Sequence, residues 1–286
     1  MNALALALIL TAAVIHASWN YILKRSGGGT PFVWLFALLS ALIYAPLAAA
    51  IIWWVKPEFG WVHYGLMAAS AALHTAYYML LDRGYRSGDL SVVYPLARGT
   101  GPLITMLCAV ILLHEQPSVL AVGGALLIGG GAFLLTGDPR KLRQSRNYHA
   151  IGFALLTGCM IAAYTLVDKV AVSAWLIPPL VQDWAANLGR VVLMTPMALK
   201  ARRELAPTWR RAKKEILAVA LLCPLAYILV LTAMVFTPVS YVAPAREVSI
   251  LIGALMGAHF LQEGDVKRRL FAASAMVVGI VCLSFG

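Results

Sequence analysis

Charged residues are scarce in this chain of 286 residues: Asp, Glu, Lys and Arg together make up 12% of it, while 61% is hydrophobic. Soluble domains carry about 25% charged residues, so a soluble core cannot hold this much apolar surface. The lipid bilayer must therefore surround most of the chain. The formal net charge of +11 does not indicate nucleic-acid binding, because basic residues also collect in the cytoplasmic loops of membrane proteins.

Catalytic and metal-binding motifs are also missing. The four cysteines lie inside apolar segments without metal-site spacing, so we interpret them as packing residues. HExxH, GxSxG and CxxC motifs do not occur, and no GKS/T follows the glycine-rich stretch GGALLIGGG at 123–131. We interpret these glycines as helix-packing positions. The sequence therefore predicts no enzyme, no cofactor and no metal site.

Apolar segments long enough to span the hydrocarbon layer, which takes about 20 residues, occur ten times in the sequence. We predict an all-α polytopic membrane protein with transmembrane helices near 3–23, 32–54, 62–83, 91–113, 118–136, 148–170, 178–199, 216–236, 240–262 and 269–285. The first segment is interpreted as a span and not as a signal peptide, because no basic region precedes it.

Lys and Arg concentrate in alternate loops, and the opposite set of loops holds little beyond Lys56. By the positive-inside rule, this asymmetry places the loops at 137–147 and 200–215 in the cytoplasm and both termini outside. The expected location is a bacterial-type inner membrane, which the chain crosses several times.

The two halves of the chain repeat one another. SVVYPLAR at 91–98 corresponds to SYVAPAR at 240–246, and ASWNYILK at 17–24 corresponds to AAYTLVDK at 162–169. Each half holds five predicted spans, an odd number, so the second half must enter the membrane in the opposite direction. We therefore predict two inverted five-helix repeats, with the following bounds: 1–137 for the first, 138–147 for a cytoplasmic linker and 148–286 for the second.

These motifs together resemble the EamA group of the drug/metabolite transporter superfamily. The resemblance rests on WNxxxK at the end of the first span, GDLSxVYPLAR opening the fourth, and an acid-ended fourth span before a glycine-rich fifth. It covers the whole chain and implies a basket-like bundle that moves small metabolites, often outward, through a central cavity. The second half departs from the pattern, with Thr237-Pro238 in place of Gly88-Asp89 and Tyr164-Thr165 in place of Trp19-Asn20.

Two arginines, Arg98 and Arg246, lie inside predicted spans. An ionised arginine that faces lipid costs at least about 2.5 kcal/mol, so both should face the bundle interior. One interpretation is that they attract an anionic group of the cargo. The other is that each binds carbonyls freed by the nearby proline or pairs with an internal acid such as Glu247.

Helix-breaking residues accompany both arginines. The fourth span carries Pro95, Gly99, Gly101 and Pro102, and the ninth carries Pro244. A proline removes one helical hydrogen bond and crowds the preceding turn. We predict a hinge or an unwound binding segment in the fourth span and keep Pro244 as the hinge candidate of the ninth, with a static packing kink as the alternative.

Polar and aromatic residues share one face of two helices, at spacings i, i+3 and i+4. They are His16, Trp19 and Asn20 on the first helix and His74, Tyr77 and Tyr78 on the third. Such a face suits a cavity that holds an amphipathic metabolite, although interhelical hydrogen bonding would also explain it. The remaining cavity candidates are Tyr94, Arg98, Tyr164, Arg190, Tyr227, Tyr241, Arg246 and Glu247.

Four charged residues end matched spans. Glu115 and Glu263 follow the two arginines after seventeen residues each, and Lys24 and Lys169 end the first and sixth spans. We treat them as gate candidates in which an acid pairs with a base of the other repeat, against the alternative of solvated helix ends. On the seventh span, we expect Arg190 and Asp183 to form a structural ion network.

The leading hypothesis is a secondary transporter that exports a small polar or zwitterionic metabolite, such as an amino acid, a metallophore or an organic acid, by alternating access. The alternative is a flippase for lipid or lipid-linked head groups. Membrane lipid and a small-molecule substrate are the expected partners, without nucleic acid. Proton coupling and a monomeric or homodimeric state both stay open.

Overall fold

The computed structural model describes residues 1–87, 90–136, 148–258 and 266–286, and within them the chain is α-helical without a strand. The predicted all-α class is confirmed. The helices are α1 (Ala3–Arg25), α2 (Thr30–Val55), α3 (Trp61–Ser87), α4 (Leu90–Leu112), α5 (Val119–Thr136), α6 (Tyr148–Ser173), α7 (Pro179–Lys200), α8 (Arg202–Phe236), α9 (Val239–Arg246), α10 (Val248–Ala258) and α11 (Val266–Phe285).

Six of the described helices, α1, α2, α4, α6, α8 and α11, are long and apolar enough to cross a membrane. This supports a multi-pass membrane protein. The full set of ten spans stays a prediction. The linker at 138–147, the dipeptide Gly88-Asp89 and the gate candidate Glu263 lie outside the described residues.

The segment 200–215, expected as a loop, is helical from Arg202 onward. Its residues are largely Arg, Lys, Glu, Ala and Leu, all strong helix formers, so a polar composition does not prevent a helix. The backbone departs from helical geometry at Ala212, with φ −130° and ψ 28°. The basic stretch is therefore a short helix that a kink separates from the apolar part of α8.

The ninth predicted span is divided at Glu247, whose backbone keeps right-handed angles of φ −70° and ψ −8°, whereas the fourth is one helix. The hinge candidates of both spans stay predictions. α4 runs continuously through Pro95 and Pro102, whereas α9 ends at Arg246 and Glu247 separates it from α10. Packing explains the continuity, because a Cβ added at Gly101 would lie 2.8 Å from Cγ2 of Ile161 on α6. The glycines of α4 permit close approach to a neighbour instead of local unwinding.

Helices α5 and α11 pack backbone against backbone. A Cβ added at Gly124 would lie 2.6 Å from the carbonyl oxygen of Gly279, and one added at Gly279 would lie 2.7 Å from that of Gly124. A Cβ added at Gly131 would likewise lie 2.8 Å from the carbonyl oxygen of Ala272. Small residues of this kind allow close helix association without a hydrophobic driving force.

The other helices surround a centre to which both halves of the chain contribute. α3 packs on α6 and α7, while α8 packs on α1 and α2. α4 packs on α6 and α5, and α9 contacts α4 along its length. As a result, the division between α9 and α10 lies against a helix of the first half.

We expect Gly124→Ala to destabilise the protein by about 1–3 kcal/mol, because the new methyl group meets a backbone oxygen that no side-chain motion can displace. Unfolding in mixed detergent micelles measures this. Gly123→Ala is the matched control, since a Cβ added at Gly123 would have no atom within 4 Å. Equal loss of stability in both variants would contradict the backbone-contact interpretation.

Candidate functional site

Two arginines and a glutamate meet where α9 ends. The Nη2 atom of Arg98, on α4, lies 3.0 Å from Oε2 of Glu247. The Nε atom of Arg246 lies 3.8 Å from Oε1 of the same carboxylate. The three residues are between 1% and 6% exposed. Two cations therefore share one anion inside the bundle, which leaves an excess of positive charge there.

Several buried donors of this triad of Arg98, Arg246 and Glu247 have no acceptor within the described structure. They are Nε and Nη2 of both arginines, and the two carboxylate oxygens of Glu247 likewise accept no hydrogen bond. The 3.0 Å contact of Arg98 is thus an ion pair whose N–H groups are not aligned as hydrogen bonds. Because unsatisfied buried polar groups are costly, the triad can bind a ligand that carries both acceptors and donors.

An aromatic cluster lies within electrostatic range of the triad. His74 stacks on Tyr164 with ring centroids 4.0 Å apart, and Tyr227 meets His74 edge-on at 5.4 Å. Tyr77 meets Tyr164 edge-on at 5.8 Å. The four rings come from α3, α6 and α8, so the structure brings together predicted cavity residues from both halves of the chain. Tyr94, half-buried on α4, lies in range of Arg98.

The residues on the predicted polar face of α1 make different kinds of contact. His16 meets Trp19 edge-on at 4.8 Å and lies in electrostatic range of Arg98 and Arg246. Asn20 donates to the carbonyl of His16 at 2.8 Å, so its amide group is satisfied within its own helix. The indole Nε1 of Trp19 is buried without an acceptor among the described residues. The rings of Trp19 and Tyr78 also pack against the apolar cluster around Phe32.

Two predicted cavity residues make contacts elsewhere. Tyr241 accepts a hydrogen bond from the backbone of Ser118 and donates one to the carbonyl of Gly286, each at 3.2 Å, which places it at the bundle end beside the last residue. Arg190 donates to Asn187 at 3.2 Å, and Asn187 donates to Asp183 at 2.9 Å. The expected ion network is therefore bridged by an amide side chain.

Sequence reasoning missed a buried acid, Asp168 on α6. It is 0% exposed, and its carboxylate accepts hydrogen bonds from Tyr227 Oη at 2.5 Å and from Gln182 Nε2 at 2.9 Å. The available signal was an acidic residue inside an apolar span. Only its neighbour Lys169 was considered, because the lysine is the residue that repeats between the two halves.

Two gate candidates hold the α8–α9 turn, residues 236–239, from both sides. Glu115 accepts hydrogen bonds from the backbone N–H groups of Val239 at 2.8 Å and Ser240 at 2.9 Å. Lys169 donates to the carbonyls of Met234 at 2.7 Å and Thr237 at 3.0 Å. Each charge faces the helix end that its sign favours, the acid at a helix N-terminus and the base at a helix C-terminus.

Glu115 and Lys169 hold the same turn, and they also lie within electrostatic range of each other. The pairing of an acid with a base at the gate stays a prediction. Lys24, the counterpart of Lys169 in the repeat, is exposed. Glu263, the counterpart of Glu115, lies outside the described residues.

Comparison with known proteins gives a family match for the first half of the chain and a fold match for nearly all of it. The model of the EamA-like transporter family matches residues 3–137, which confirms the predicted resemblance to the drug/metabolite transporter superfamily. A solved structure described as "Crystal structure of protein" matches with a TM-score of 0.75 and 15% identity, covering 98% of this chain and 97% of the other. At this identity the likeness shows the fold alone. No curated protein matches the chain by sequence.

We expect Glu247→Leu to destabilise the protein by about 3–5 kcal/mol, because it leaves two buried arginines without their anion. The double variant Glu247→Leu with Arg98→Met should recover part of this loss, since one unpaired cation is then removed. The free energy of unfolding of both single variants and the double variant measures the coupling. Additive losses would show that the contact between Arg98 and Glu247 contributes no pairing energy.

Proposed function

From the match of residues 3–137 to the model of the EamA-like transporter family, we propose that the protein is a secondary transporter that exports a small zwitterionic metabolite of the amino-acid type. The family indicates a multi-pass membrane transporter. The observation that carries the choice of cargo is the buried triad of Arg98, Arg246 and Glu247 with its unsatisfied donors and acceptors.

A zwitterion matches the triad because it carries both signs of charge at a short separation. Its carboxylate would accept from the guanidinium groups of Arg98 and Arg246, which favour planar acids. Its ammonium group would donate to the oxygens of Glu247, which accept no hydrogen bond within the described structure. The neighbouring rings of His74 and Tyr164 offer apolar and cation–π contacts to the rest of the molecule.

Alternating access between two inverted five-helix repeats, 1–137 and 148–286, is the mechanism that we propose. Pairwise packing supports it: α3 packs on α6 as α8 packs on α1, and α3 packs on α7 as α8 packs on α2. In each comparison, one contact becomes the other when every helix is replaced by its counterpart in the other repeat, with α1, α2 and α3 corresponding to α6, α7 and α8. The linker at 138–147 would then lie in the cytoplasm and both termini outside an inner membrane.

The α8–α9 turn, held by Glu115 and Lys169, is the outer gate in this proposal. It closes the end of the bundle where the N-terminal amine donates to the carbonyl of Ser284 at 3.1 Å. By the repeat, Lys24 is the counterpart of Lys169 and would serve a gate on the cytoplasmic side. Export would alternate between the two gates, with one held while the other is released.

We expect L-amino acids to raise the Tm of the purified protein, and Arg98→Ala to abolish the shift because it removes the carboxylate partner. Thermal unfolding against L-amino acids, dicarboxylic acids and organic cations measures this, together with uptake of pooled radiolabelled L-amino acids into proteoliposomes. Arg83→Ala, at an exposed arginine, is the control and should keep both signals. Stabilisation by cations alone, or no uptake above empty liposomes, would refute the proposed cargo.

We expect Glu115→Ala to open the outer gate, because it removes two hydrogen bonds to a charged group that are worth about 1.5–3 kcal/mol each. In a Ser240→Cys background, the labelling rate with a membrane-impermeant thiol reagent should rise at least about tenfold. Ser240 is 0% exposed in the closed turn. Glu58→Ala, at an exposed acid on the same side, should leave the rate unchanged, and an equal rate in both variants would argue against the gate.

A further inference from the structure

Asp168 is an ionisable acid buried in the bundle, without a cation in contact with it among the described residues. Its hydrogen-bond donors, the Tyr227 hydroxyl and the Gln182 amide, are both neutral. The ion pairs found in the described part of the chain both belong to Glu247, and neither involves Asp168. A carboxylate removed from water without a cation is neutralised most simply by taking up a proton.

The partners of Asp168 fit a proton better than a metal ion. Two donors already point at the carboxylate oxygens, and a metal ion would have to displace them. Gln182 is 0% exposed, and its Oε1 atom has no partner within the described structure. When Asp168 is ionised, Nε2 of Gln182 donates to it; when Asp168 is protonated, a turn of the amide lets Oε1 accept the carboxyl O–H. Gln182 and Asp168 can therefore form a hydrogen bond in both protonation states of the carboxyl group.

We propose that Asp168 is the proton-binding site through which this transporter couples export to an inward proton gradient, an inference that rests on the proposed function. The carboxylate takes up one proton from the outer aqueous side and releases it to the cytoplasm, and no other bond is made or broken. Export of one cargo molecule accompanies the return of the carboxylate to its ionised form.

The contacts of Asp168 connect it to both the cargo site and the outer gate. Tyr227 donates to Asp168 and meets the rings of His74 and Tyr164 edge-on at 5.4 and 6.3 Å. Lys169, the next residue in α6, holds the α8–α9 turn. Protonation therefore changes the hydrogen bond of an aromatic residue at the cargo site and acts next to a residue that keeps the gate closed.

Other ionisable groups surround this site and must be separated from Asp168 by experiment. They are His74 on α3, Arg98 on α4, Asp183 on α7, Tyr227 on α8, Arg246 on α9 and Lys169 on the same helix. Asp183 is the closest alternative, because it is also a buried acid, 5% exposed, and its hydrogen-bond donor is the neutral Asn187.

Infrared difference spectroscopy of the reconstituted protein, recorded between acidic and alkaline pH without any cargo, tests the site directly. We expect the C=O band of a buried protonated carboxyl group that titrates, disappears in Asp168→Asn and persists in Asp183→Asn. In Tyr227→Phe the band should shift in frequency, which keeps the test decisive if Asp168→Asn does not fold. Absence of a titrating band, or its loss in Asp183→Asn alone, would overturn the proposal.

Transport of pooled radiolabelled L-amino acids then tests coupling. An acidic lumen should accelerate uptake into wild-type proteoliposomes, and Asp168→Asn should lose this acceleration while it retains exchange against preloaded amino acids. A variant that keeps the response to the pH gradient would overturn the coupling role. If the wild type neither takes up nor exchanges amino acids, the proposed function fails, and the infrared result alone decides whether Asp168 is a proton site.

Discussion

Neutralisation of buried charge is the constraint on which the centre of this bundle depends. Arg98 and Arg246 come from corresponding segments of the two halves, yet they share one carboxylate, Glu247. An arginine inside a membrane protein needs a partner in the interior, so this shared anion holds α4 of the first half against α9 of the second. The division between α9 and α10 falls at the same glutamate, where the helix tightens into i→i+3 hydrogen bonds: Glu247 N–H donates to the carbonyl of Pro244, and Ile250 N–H donates to that of Glu247.

Much of this arrangement can be predicted from the sequence, because exposing a charged side chain to lipid costs free energy. Apolar runs located the helices, and the cost of exposing Arg98 and Arg246 to lipid predicted that both face inward. The family resemblance also followed from motifs that are local in sequence. The position at which a predicted span is divided did not follow from the sequence, because it depends on neighbouring helices. At Gly101 the chain packs closely against Ile161, whereas Glu247 directly follows the buried Arg246. Proline and glycine content alone does not distinguish a hinge from a close-packed helix.

Partners across the bundle were the other part that sequence reasoning could not supply. The gate residues were expected to pair acid with base, and Glu115 and Lys169 also bind opposite ends of the backbone around one turn. The end of a helix can attract a charged side chain just as an oppositely charged side chain can. No sequence pattern distinguishes these two kinds of partner. Asp168 was missed for a related reason: its donors Tyr227 and Gln182 lie 59 and 14 residues away along the chain. Its burial depends on three helices that meet only in the folded protein.

The order of these groups along the bundle has a mechanistic consequence. Tyr227 lies within electrostatic range of Arg246 and donates a hydrogen bond to Asp168, and Asp168 is next to Lys169, which holds the α8–α9 turn. Tyr227 therefore connects the triad to Asp168, and a change in charge at one of these groups alters the electrostatic environment of the next. A cargo that neutralises the triad on α4 and α9 and a proton that neutralises Asp168 on α6 therefore act on neighbouring groups, which Tyr227 on α8 connects. If only one of the two charges can be neutralised in each closed state, tight exchange of cargo for proton follows from electrostatics, without a direct contact between them.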